Sequence, residues 1–279
     1  MAATPAAGPV DLHTHSTASD GTLAPARLVA LAAARGLRVL ALTDHDTTAG
    51  LAEAAAAAAE HGLRFVPGVE LSTHVAAGEV HVLGYFIAPA SPALADALAR
   101  FRAAREGRAR TIVANLAAAG APVAYERVVE LAGGATIGRP HVARALVEAG
   151  HAASVQDAFD RYLVRGRPGY VERYRLLPPD AVRLIREAGG VPVLAHPHSA
   201  ADLDALLPDL LAAGLGGLEC YYGDYDAAQR AALLALAARH DLVATGGTDF
   251  HGPGLAHGLP LGGVAVPLGC VDALAARRA

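Results

Sequence analysis

The sequence predicts an α/β fold in which about seven strands close into a barrel that carries an α-helical insertion. Short runs rich in β-branched residues or leucine alternate with helical patterns, which is typical of βα units. Polar side chains recur at the ends of these runs along the chain, which favours a closed barrel over an open sheet. The alternation stops between residues 93 and 175, where helical patterns follow one another and strand signals are few.

The predicted strands are apolar runs that end abruptly in polar residues. In chain order they cover residues 10–12, 38–42, 65–69, 80–85, 191–195, 217–220 and 242–245. Helical patterns, several of them rich in alanine, separate most of these runs at residues 25–35, 51–61, 179–188, 203–213 and 227–240. Because helices of this kind join parallel neighbours, the sheet or barrel is predicted to be parallel.

The stretch from 93 to 175 is predicted to be an insertion between two barrel strands, with helices over residues 93–118, 125–132, 139–149 and 155–162. The barrel domain then comprises residues 1–92 and 176–279, and the insertion is expected to act as a substrate cap. Five arginines lie between Arg100 and Arg110. They either line a pocket for an anionic substrate or solvate the helix faces. For most of them the second alternative is favoured, because long charged side chains are usually exposed.

Composition excludes several classes of function. The formal net charge of −4 and the pI near 6.3 provide no net basic field for a long nucleic-acid polymer, whose binding rests on Lys and Arg contacts to phosphates. All 23 basic residues are arginine. A P-loop lysine, a Schiff-base lysine and a Ser–Lys dyad are therefore excluded.

The protein is expected to act in the cytoplasm and to have no membrane partner. Cys220 and Cys270 are the two cysteines, and their spacing indicates neither a disulfide framework nor a thiolate zinc site. The first ten residues lack the basic segment of a signal peptide, and no long uncharged apolar span follows them.

The strongest local signal for chemistry is a pair of histidines two positions apart, His13 and His15, in the motif DLHTH. Residues i and i+2 of a strand point to the same face, so both imidazoles can reach one metal ion. Asp20 follows where the strand has ended and a loop can fold its carboxylate back. Alone, the pair is only moderately specific, because the chain has 13 histidines.

Further metal-competent side chains lie at or near the ends of the other predicted strands: His45, Glu70, His81, His196, Asp249 and His251. One such residue is more often part of a core or a helix cap, but its repetition at successive strand ends indicates a site. Imidazole and carboxylate ligands without thiolate suit Zn, Mn or Fe. So many ligands exceed the needs of one ion, and two or three divalent ions are predicted. Such centres are typical of phosphoester hydrolysis, in which they lower the pKa of water and neutralise phosphoryl charge.

These motifs together resemble those of the PHP (polymerase and histidinol phosphatase) superfamily of phosphoesterases. The order HxH, TDHD, GxE, a later His, AHP and a terminal DxH spans the barrel and is specific as a set. The segments LTDHDTTAG, GRPHVARALVEAG, VLAHP and GGTDFHG are similar to those of a subfamily with a helical insertion, which acts on nucleoside 3′,5′-bisphosphates and has ribonuclease AM among its relatives. The resemblance implies a distorted (β/α)7 barrel of the PHP type.

The resemblance also implies how the ligands divide among the ions. One ion is held by His13, His15, Glu70 and Asp249. Glu70 bridges to a second ion, whose other ligands are His81 and His196. The third ion is held by Asp20, His45 and His251, and many relatives have histidine at the position of Asp20.

Within the insertion, residues 138–141 predict phosphate binding. Arg139 offers a planar guanidinium suited to phosphate, and Pro140 fits the first turn of a helix, whose N-terminus favours anions. An ordinary capped surface helix is the less favoured alternative. His141 is expected to contact phosphate or to act as the leaving-group acid. Together with Asp249 and His196 it completes the predicted catalytic set.

Three other polar residues receive weaker predictions. Asp44 and Asp46 are expected to orient the imidazole between them rather than to bind metal directly. His198 follows the AHP motif but matches no position of the family pattern.

Several functions remain open from the sequence, all with a small phosphorylated nucleotide or a short oligonucleotide as partner. Removal of the 3′-phosphate from nucleoside 3′,5′-bisphosphates, giving a 5′-nucleotide and phosphate, is favoured. A 5′→3′ exoribonuclease on short 5′-phosphorylated RNA is kept open by the arginines of the insertion. The insertion argues against a histidinol-phosphate phosphatase, and the nearly complete ligand set argues against a non-catalytic binding module.

Overall fold

Seven strands pair side by side in chain order in the computed structural model, which describes residues 9–75, 78–133, 137–172, 176–223, 225–253 and 259–278. They are β1 Val10–Asp11, β2 Val39–Leu42, β3 Arg64–Val75, β4 Gly78–Tyr85, β5 Val191–Leu194, β6 Gly217–Tyr222 and β7 Val243–Gly247. The Leu12 N–H donates to the Gly246 carbonyl at 3.2 Å, which joins the end of β1 to β7 and nearly closes the barrel. The predicted α/β barrel is confirmed.

The prediction that all strands are parallel is wrong for β4. This strand pairs antiparallel with β3 on one side and with β5 on the other, whereas the remaining neighbours are parallel. Val75 and Gly78 are paired, so two residues separate the strands. Such a short connection can only join antiparallel strands, because a parallel crossover needs a dozen residues or more.

Ten α-helices are found among the described residues. They are α1 Pro25–Ala34, α2 Leu51–Glu60, α3 Pro92–Ala118, α4 Tyr125–Ala132, α5 Arg139–Glu148, α6 Val155–Ala158, α7 Pro178–Glu187, α8 Leu203–Ala213, α9 Ala227–Arg239 and α10 Gly269–Ala275. Nine of them were predicted to within a few residues, whereas the short α10 was not. Side-chain caps fix three of the starts: Ser154 accepts from the Asp157 N–H, Asp202 from the Ala205 N–H, and Asp226 from the Gln229 N–H.

The chain divides into two compact units, Met1–Asp96 with Arg175–Ala279 and Ala97–Tyr174. In the first unit, buried side chains of the strands and of α10 form one core, to which Val10, Val66, Leu83, Val193 and Val271 contribute. The described helices include none that is long and apolar enough to cross a membrane.

The second unit is helical and has a core of its own, built around Ile112, Leu116, Val142, Leu146 and Leu163. One turn of π-helix, Phe159–Leu163, continues α6.

Arg108 and Arg110 of α3 have structural contacts within this unit. The guanidinium of Arg110 lies 3.9 Å from the centre of the Tyr125 ring, and Arg108 Nε donates to the Val171 carbonyl at 2.7 Å. The side chains of Arg108 and Arg110 therefore contribute to packing within the second unit.

Candidate metal centre

The histidines of the DLHTH motif lie just beyond β1, where the chain stays extended beside the segment that follows β7. The His15 N–H donates to the Phe250 carbonyl at 2.9 Å, and the Phe250 N–H donates to the His13 carbonyl. Both histidines are fully buried, and their ring centres are 5.2 Å apart. The same-face arrangement expected for an i, i+2 pair is therefore present.

Close packing of β7 against β1 requires glycine at position 247. A Cβ there would overlap the backbone nitrogen of His13 and lie 2.8 Å from the carboxylate of Asp11. Asp11 is itself buried, and it accepts hydrogen bonds from the Thr248 hydroxyl and the Gly262 N–H. These contacts hold the end of β7 against the histidine pair.

The carboxylate of Glu70 is the centre of the cluster. Its Oε2 lies 3.1 Å from His13 Nε2, 3.2 Å from His15 Nε2 and 3.2 Å from His45 Nδ1. Its Oε1 lies 2.9 Å from His81 Nδ1 and 3.2 Å from His196 Nε2. Glu70 is not the last residue of its strand, as the sequence suggested, because β3 continues to Val75 through its pairing with β4.

All nine predicted ligands lie in this one cluster. In the part of the chain that the structure describes, the residues able to hold a cation fall into three overlapping groups, each with ligand atoms within 4.8 Å of one another: His13, His15, Glu70 and Asp249; His45, Glu70 and His81; and His15, Asp20, His45 and His251. Compared with the division implied by the resemblance, His45 also joins the second group and His15 the third, whereas His196 belongs to none of the three and contacts the cluster through Glu70. Asp20 is the most solvated of the nine, with 55% of its side chain exposed.

The buried imidazoles of the described cluster include ring nitrogens that lack hydrogen-bond partners, as is expected of the ligands of a cation. Both ring nitrogens of His15, and Nδ1 of His45, are buried and lack a hydrogen-bond partner of suitable geometry among the described residues. Buried polar atoms are otherwise almost always hydrogen-bonded. Nitrogen lone pairs that converge on shared carboxylates are the donor set that a divalent cation requires.

The charges of the cluster shift its pKa values strongly. Burial opposes ionisation of Glu70, but the imidazoles around it, chiefly His45 and His13, hold its pKa well below the usual range. Burial opposes protonation of His15 and His81, yet neighbouring carboxylates raise their pKa values to about 9 and about 10. For His45, burial dominates and lowers the pKa to about 4. Without a cation, the cluster therefore carries protons that a bound metal would displace.

Comparison with known proteins identifies the family to which this chain belongs. Residues 11–164 match the family described as the PHP domain. The chain belongs to the PHP family. It is 42% identical over 250 residues, 88% of each chain, to a 3′,5′-nucleoside bisphosphate phosphatase of Chromobacterium violaceum. It is 40% identical to the 5′-3′ exoribonuclease Rnm of Salmonella typhimurium, over 87% of this chain and 85% of that one.

A solved structure from Bifidobacterium adolescentis, classed as a metal-dependent phosphoesterase, has the same PHP architecture. It superposes with a TM-score of 0.81 at 35% identity and covers 99% of this chain and 98% of its own. The predicted family and the predicted enzyme class are thus confirmed, and the chain is a metal-dependent phosphoesterase.

Sequence reasoning missed Glu219, a fully buried carboxylate on β6 of this PHP barrel. Its Oε1 lies 2.9 Å from His13 Nδ1, and its Oε2 accepts the His196 N–H at 2.7 Å. The second bond supports the backbone of His196, whose φ of 27° is unusual for a residue other than glycine. The signal for Glu219 was a charged residue inside the apolar run GLEC. This residue lies within the strand, whereas the ligands were predicted at strand ends.

Tyr222, the last residue of β6, was also missed. Its hydroxyl donates to Asp249 Oδ2 at 2.8 Å, and its ring lies 6.5 Å from that of His13 and 5.9 Å from that of His196. Asp249 has a φ of 51°, in the left-handed region, so the hydroxyl orients a carboxylate on a strained backbone.

Asp44 and Asp46 each accept hydrogen bonds that join neighbouring segments of the chain. Asp44 accepts from the Ser16 N–H, the Ser16 hydroxyl and the Ser19 hydroxyl, at 2.6 to 2.7 Å. It therefore holds the loop after the histidine pair. Asp46 accepts from the Ser72 N–H at 3.0 Å and so joins its own loop to β3.

The predicted phosphate-binding residues lie in the second unit, at the start of α5. Arg139 is partly buried, donates to the Leu163 carbonyl at 3.3 Å and lies 5.6 Å from the centre of the Phe159 ring. His141 Nδ1 accepts the Gly138 N–H at 3.0 Å. Burial, helped by the positive charge of Arg144, lowers the pKa of His141. A neutral imidazole that accepts at Nδ1 carries its hydrogen on Nε2, where it can donate.

Proposed function

We propose that this enzyme removes the 3′-phosphate from nucleoside 3′,5′-bisphosphates. The observation that supports it most is the convergence of five imidazoles within 3.2 Å of the two oxygens of Glu70. A single carboxylate placed in this way is suited to bridging two cations. The Chromobacterium violaceum relative, a 3′,5′-nucleoside bisphosphate phosphatase by name, supports the choice of substrate.

Two or three divalent ions, Mn, Zn or Fe, would be held by the three groups of ligands that share Glu70, His15 and His45. His196, whose Nε2 faces the same Glu70 oxygen as His81, would join the second group. When bound, the ions supply Lewis acidity that polarises the phosphoryl group and lowers the pKa of water. Asp249 and His196 are then the ligands that we assign to catalysis.

The surrounding residues position the ligands. Glu219, by accepting from His13 Nδ1, fixes one hydrogen of that imidazole on Nδ1, so that Nε2, which lies 3.1 Å from Glu70 Oε2, would be free to bind a cation. Tyr222 holds one oxygen of Asp249, which leaves Oδ1 directed at His13 and His15. In the proposed reaction, the oxygen of water bonds to phosphorus and the bond from phosphorus to the 3′-oxygen breaks. A 3′-hydroxyl and inorganic phosphate result.

We assign phosphate recognition to Arg139 and His141 of the insertion, residues 93–175. Arg139 has five N–H donors, and its bond to Leu163 uses one group of them. Since the pKa of His141 is lowered, its Nε2–H suits donation to a phosphate oxygen better than proton delivery to a leaving group. Its role as the acid stays a prediction.

An exoribonuclease on short 5′-phosphorylated RNA is the second candidate. Two relatives named as 5′-3′ exoribonucleases, from Salmonella typhimurium and Escherichia coli, are 40% and 39% identical to this chain. The same ligand cluster can serve a phosphodiester as well as a monoester. Histidinol phosphate remains a weaker alternative substrate. Action in the cytoplasm, without a membrane or a long nucleic-acid polymer as partner, stays a prediction.

A three-substrate assay tests the proposal. Phosphate or nucleotide release is measured from a nucleoside 3′,5′-bisphosphate, a 5′-phosphorylated dinucleotide and histidinol phosphate, with Mn²⁺ and with chelator. We expect Mn²⁺-dependent release, fastest from the bisphosphate. A faster reaction with the dinucleotide would favour the exoribonuclease, and no metal-dependent release from any substrate would contradict the assignment of the cluster.

A further inference from the structure

A row of four aromatic rings leads outward from the ligand cluster. The ring of Tyr222 lies 5.9 Å from that of His196, the ring of Tyr225 lies 5.2 Å from that of Tyr222, and the ring of His198 lies 4.8 Å from that of Tyr225. Exposure rises from Tyr222 outward, since Tyr222 is buried, Tyr225 is half-buried and His198 is exposed. The row therefore joins the proposed metal centre to solvent.

The outer two rings are held in place by the backbone. The Tyr225 N–H donates to the Tyr222 carbonyl at 3.1 Å, and the Tyr225 hydroxyl accepts the His198 N–H at 3.3 Å. That second bond ties the segment after β6 to the turn after β5, at the end of the barrel where the ligands lie. A solvated aromatic pair fixed in this manner has a defined orientation before any ligand arrives, which lowers the entropy cost of binding.

Position and chemistry suit a nucleobase. Aromatic side chains beside a phosphate-handling centre stack readily on bases, because every base has a π-face. The proposed substrate carries its base one sugar away from the phosphate that is removed. The Tyr225 ring is separated from the His196 ring by Tyr222 alone, with ring centres 5.9 Å apart between His196 and Tyr222 and 5.2 Å apart between Tyr222 and Tyr225.

We propose that Tyr225 and His198 form the nucleobase subsite of this enzyme, an inference that rests on the proposed function. The base stacks on the face of the Tyr225 ring while the 3′-phosphate lies at the ligand cluster, and His198, whose ring is inclined at 82° to that of Tyr225, borders the same subsite. Recognition by stacking accepts any base and prefers purines, which offer the larger π-surface.

The test compares two substrates that differ only in the base: 2′-deoxyadenosine 3′,5′-bisphosphate and the base-free 1,2-dideoxyribose 3,5-bisphosphate. The ratio of their kcat/KM values is measured for the Mn²⁺-loaded wild type and for Tyr225→Ala, Tyr225→Phe and His198→Ala. Stacking on one aromatic ring corresponds to about a tenfold effect. We expect the ratio to fall about tenfold in Tyr225→Ala and to be largely restored in Tyr225→Phe, which keeps the ring.

His240→Ala is the matched control, because His240 ends α9 ahead of β7 and so lies at the opposite end of the barrel. Its ratio should equal that of the wild type. An unchanged ratio in Tyr225→Ala, or a wild-type ratio near one, would overturn the subsite.

Calorimetric titration of the Mn²⁺-loaded protein with 2′-deoxyadenosine 5′-monophosphate and with 2-deoxyribose 5-phosphate provides a readout without turnover. The nucleotide should bind the wild type more tightly than the sugar phosphate does, and Tyr225→Ala should remove most of that advantage. Equal affinities in the wild type would refute the subsite. If the enzyme released no phosphate from any nucleotide, the proposed function would fail, and the titration would still decide whether the base is bound.

Discussion

Replacing Glu219 by glutamine should weaken metal binding without removing any ligand. The carboxylate accepts from His13 Nδ1 with one oxygen and from the His196 N–H with the other. Glutamine has one oxygen and one NH₂ group, so it can serve only one of these two donors. If its NH₂ group faces His13, that imidazole must accept at Nδ1 and carry its hydrogen on Nε2, towards Glu70. If it faces His196, two N–H groups oppose each other.

The expected size of the effect follows from this geometry. Loss of a partner that orients a metal-binding histidine typically costs 10- to 100-fold in metal affinity, which corresponds to about 1.4 to 2.8 kcal/mol. Because Glu219 is fully buried, solvent cannot replace the lost bond. We therefore expect the Kd for Mn²⁺ to rise at least about tenfold.

Isothermal titration of chelator-treated protein with Mn²⁺ measures this effect, with circular dichroism to verify that the variant is folded. Glu60→Gln provides the matched control, since Glu60 is an exposed residue at the end of α2. Its Kd should equal that of the wild type. A folded Glu219→Gln protein with wild-type affinity would refute the proposed fixing of the His13 tautomer.

Three further predictions follow from the cluster and the insertion. Asp249→Ala should lower kcat at least about a hundredfold, as measured by phosphate release, while the melting curve still shows a folded barrel. Arg139→Ala should raise KM for the bisphosphate about tenfold and leave kcat nearly unchanged, a split that steady-state kinetics would detect and that equal losses in both terms would contradict. The metal-free protein should lose stability as pH rises. The stabilisation from protonated His15 and His81 is fully present below about 6.5, their usual pKa, and is lost through pKa values of about 9 and 10. Thermal melts should show a falling Tm without metal and a flatter profile with Mn²⁺, and identical profiles would refute the account.

Local features of the sequence, namely the alternating strand-like and helical runs and the polar residues that follow them, were sufficient to predict the barrel and the nine clustered residues. The His13 and His15 pair could be placed because i, i+2 geometry is local, and His45 and His196 because each follows a short apolar run. The direction of β4 could not be obtained in that way. Strand pairing is a non-local property, and the hint that contradicted a parallel strand was the short distance between two apolar runs.

Glu219 and Tyr222 escaped prediction for a different physical reason. Their importance lies in partners far away in sequence, since Glu219 contacts His13 and His196 and Tyr222 contacts Asp249. A local pattern shows which side chains have metal-binding chemistry. It does not show which side chains orient them, because that depends on the pairing of β6 with its neighbours.

Metal titration coupled to phosphate release tests the central claim most directly. Chelator-treated protein is given increasing Mn²⁺, and phosphate released from a nucleoside 3′,5′-bisphosphate is followed, with the product identified as the 5′-nucleotide. We predict that release is absent without metal, rises with added Mn²⁺ and continues to rise beyond one equivalent, because Glu70 is shared between groups of ligands. The Glu70→Gln variant should stay inactive at all Mn²⁺ concentrations. Equal release by the chelator-treated and the Mn²⁺-loaded wild type, or wild-type turnover by Glu70→Gln, would contradict the account.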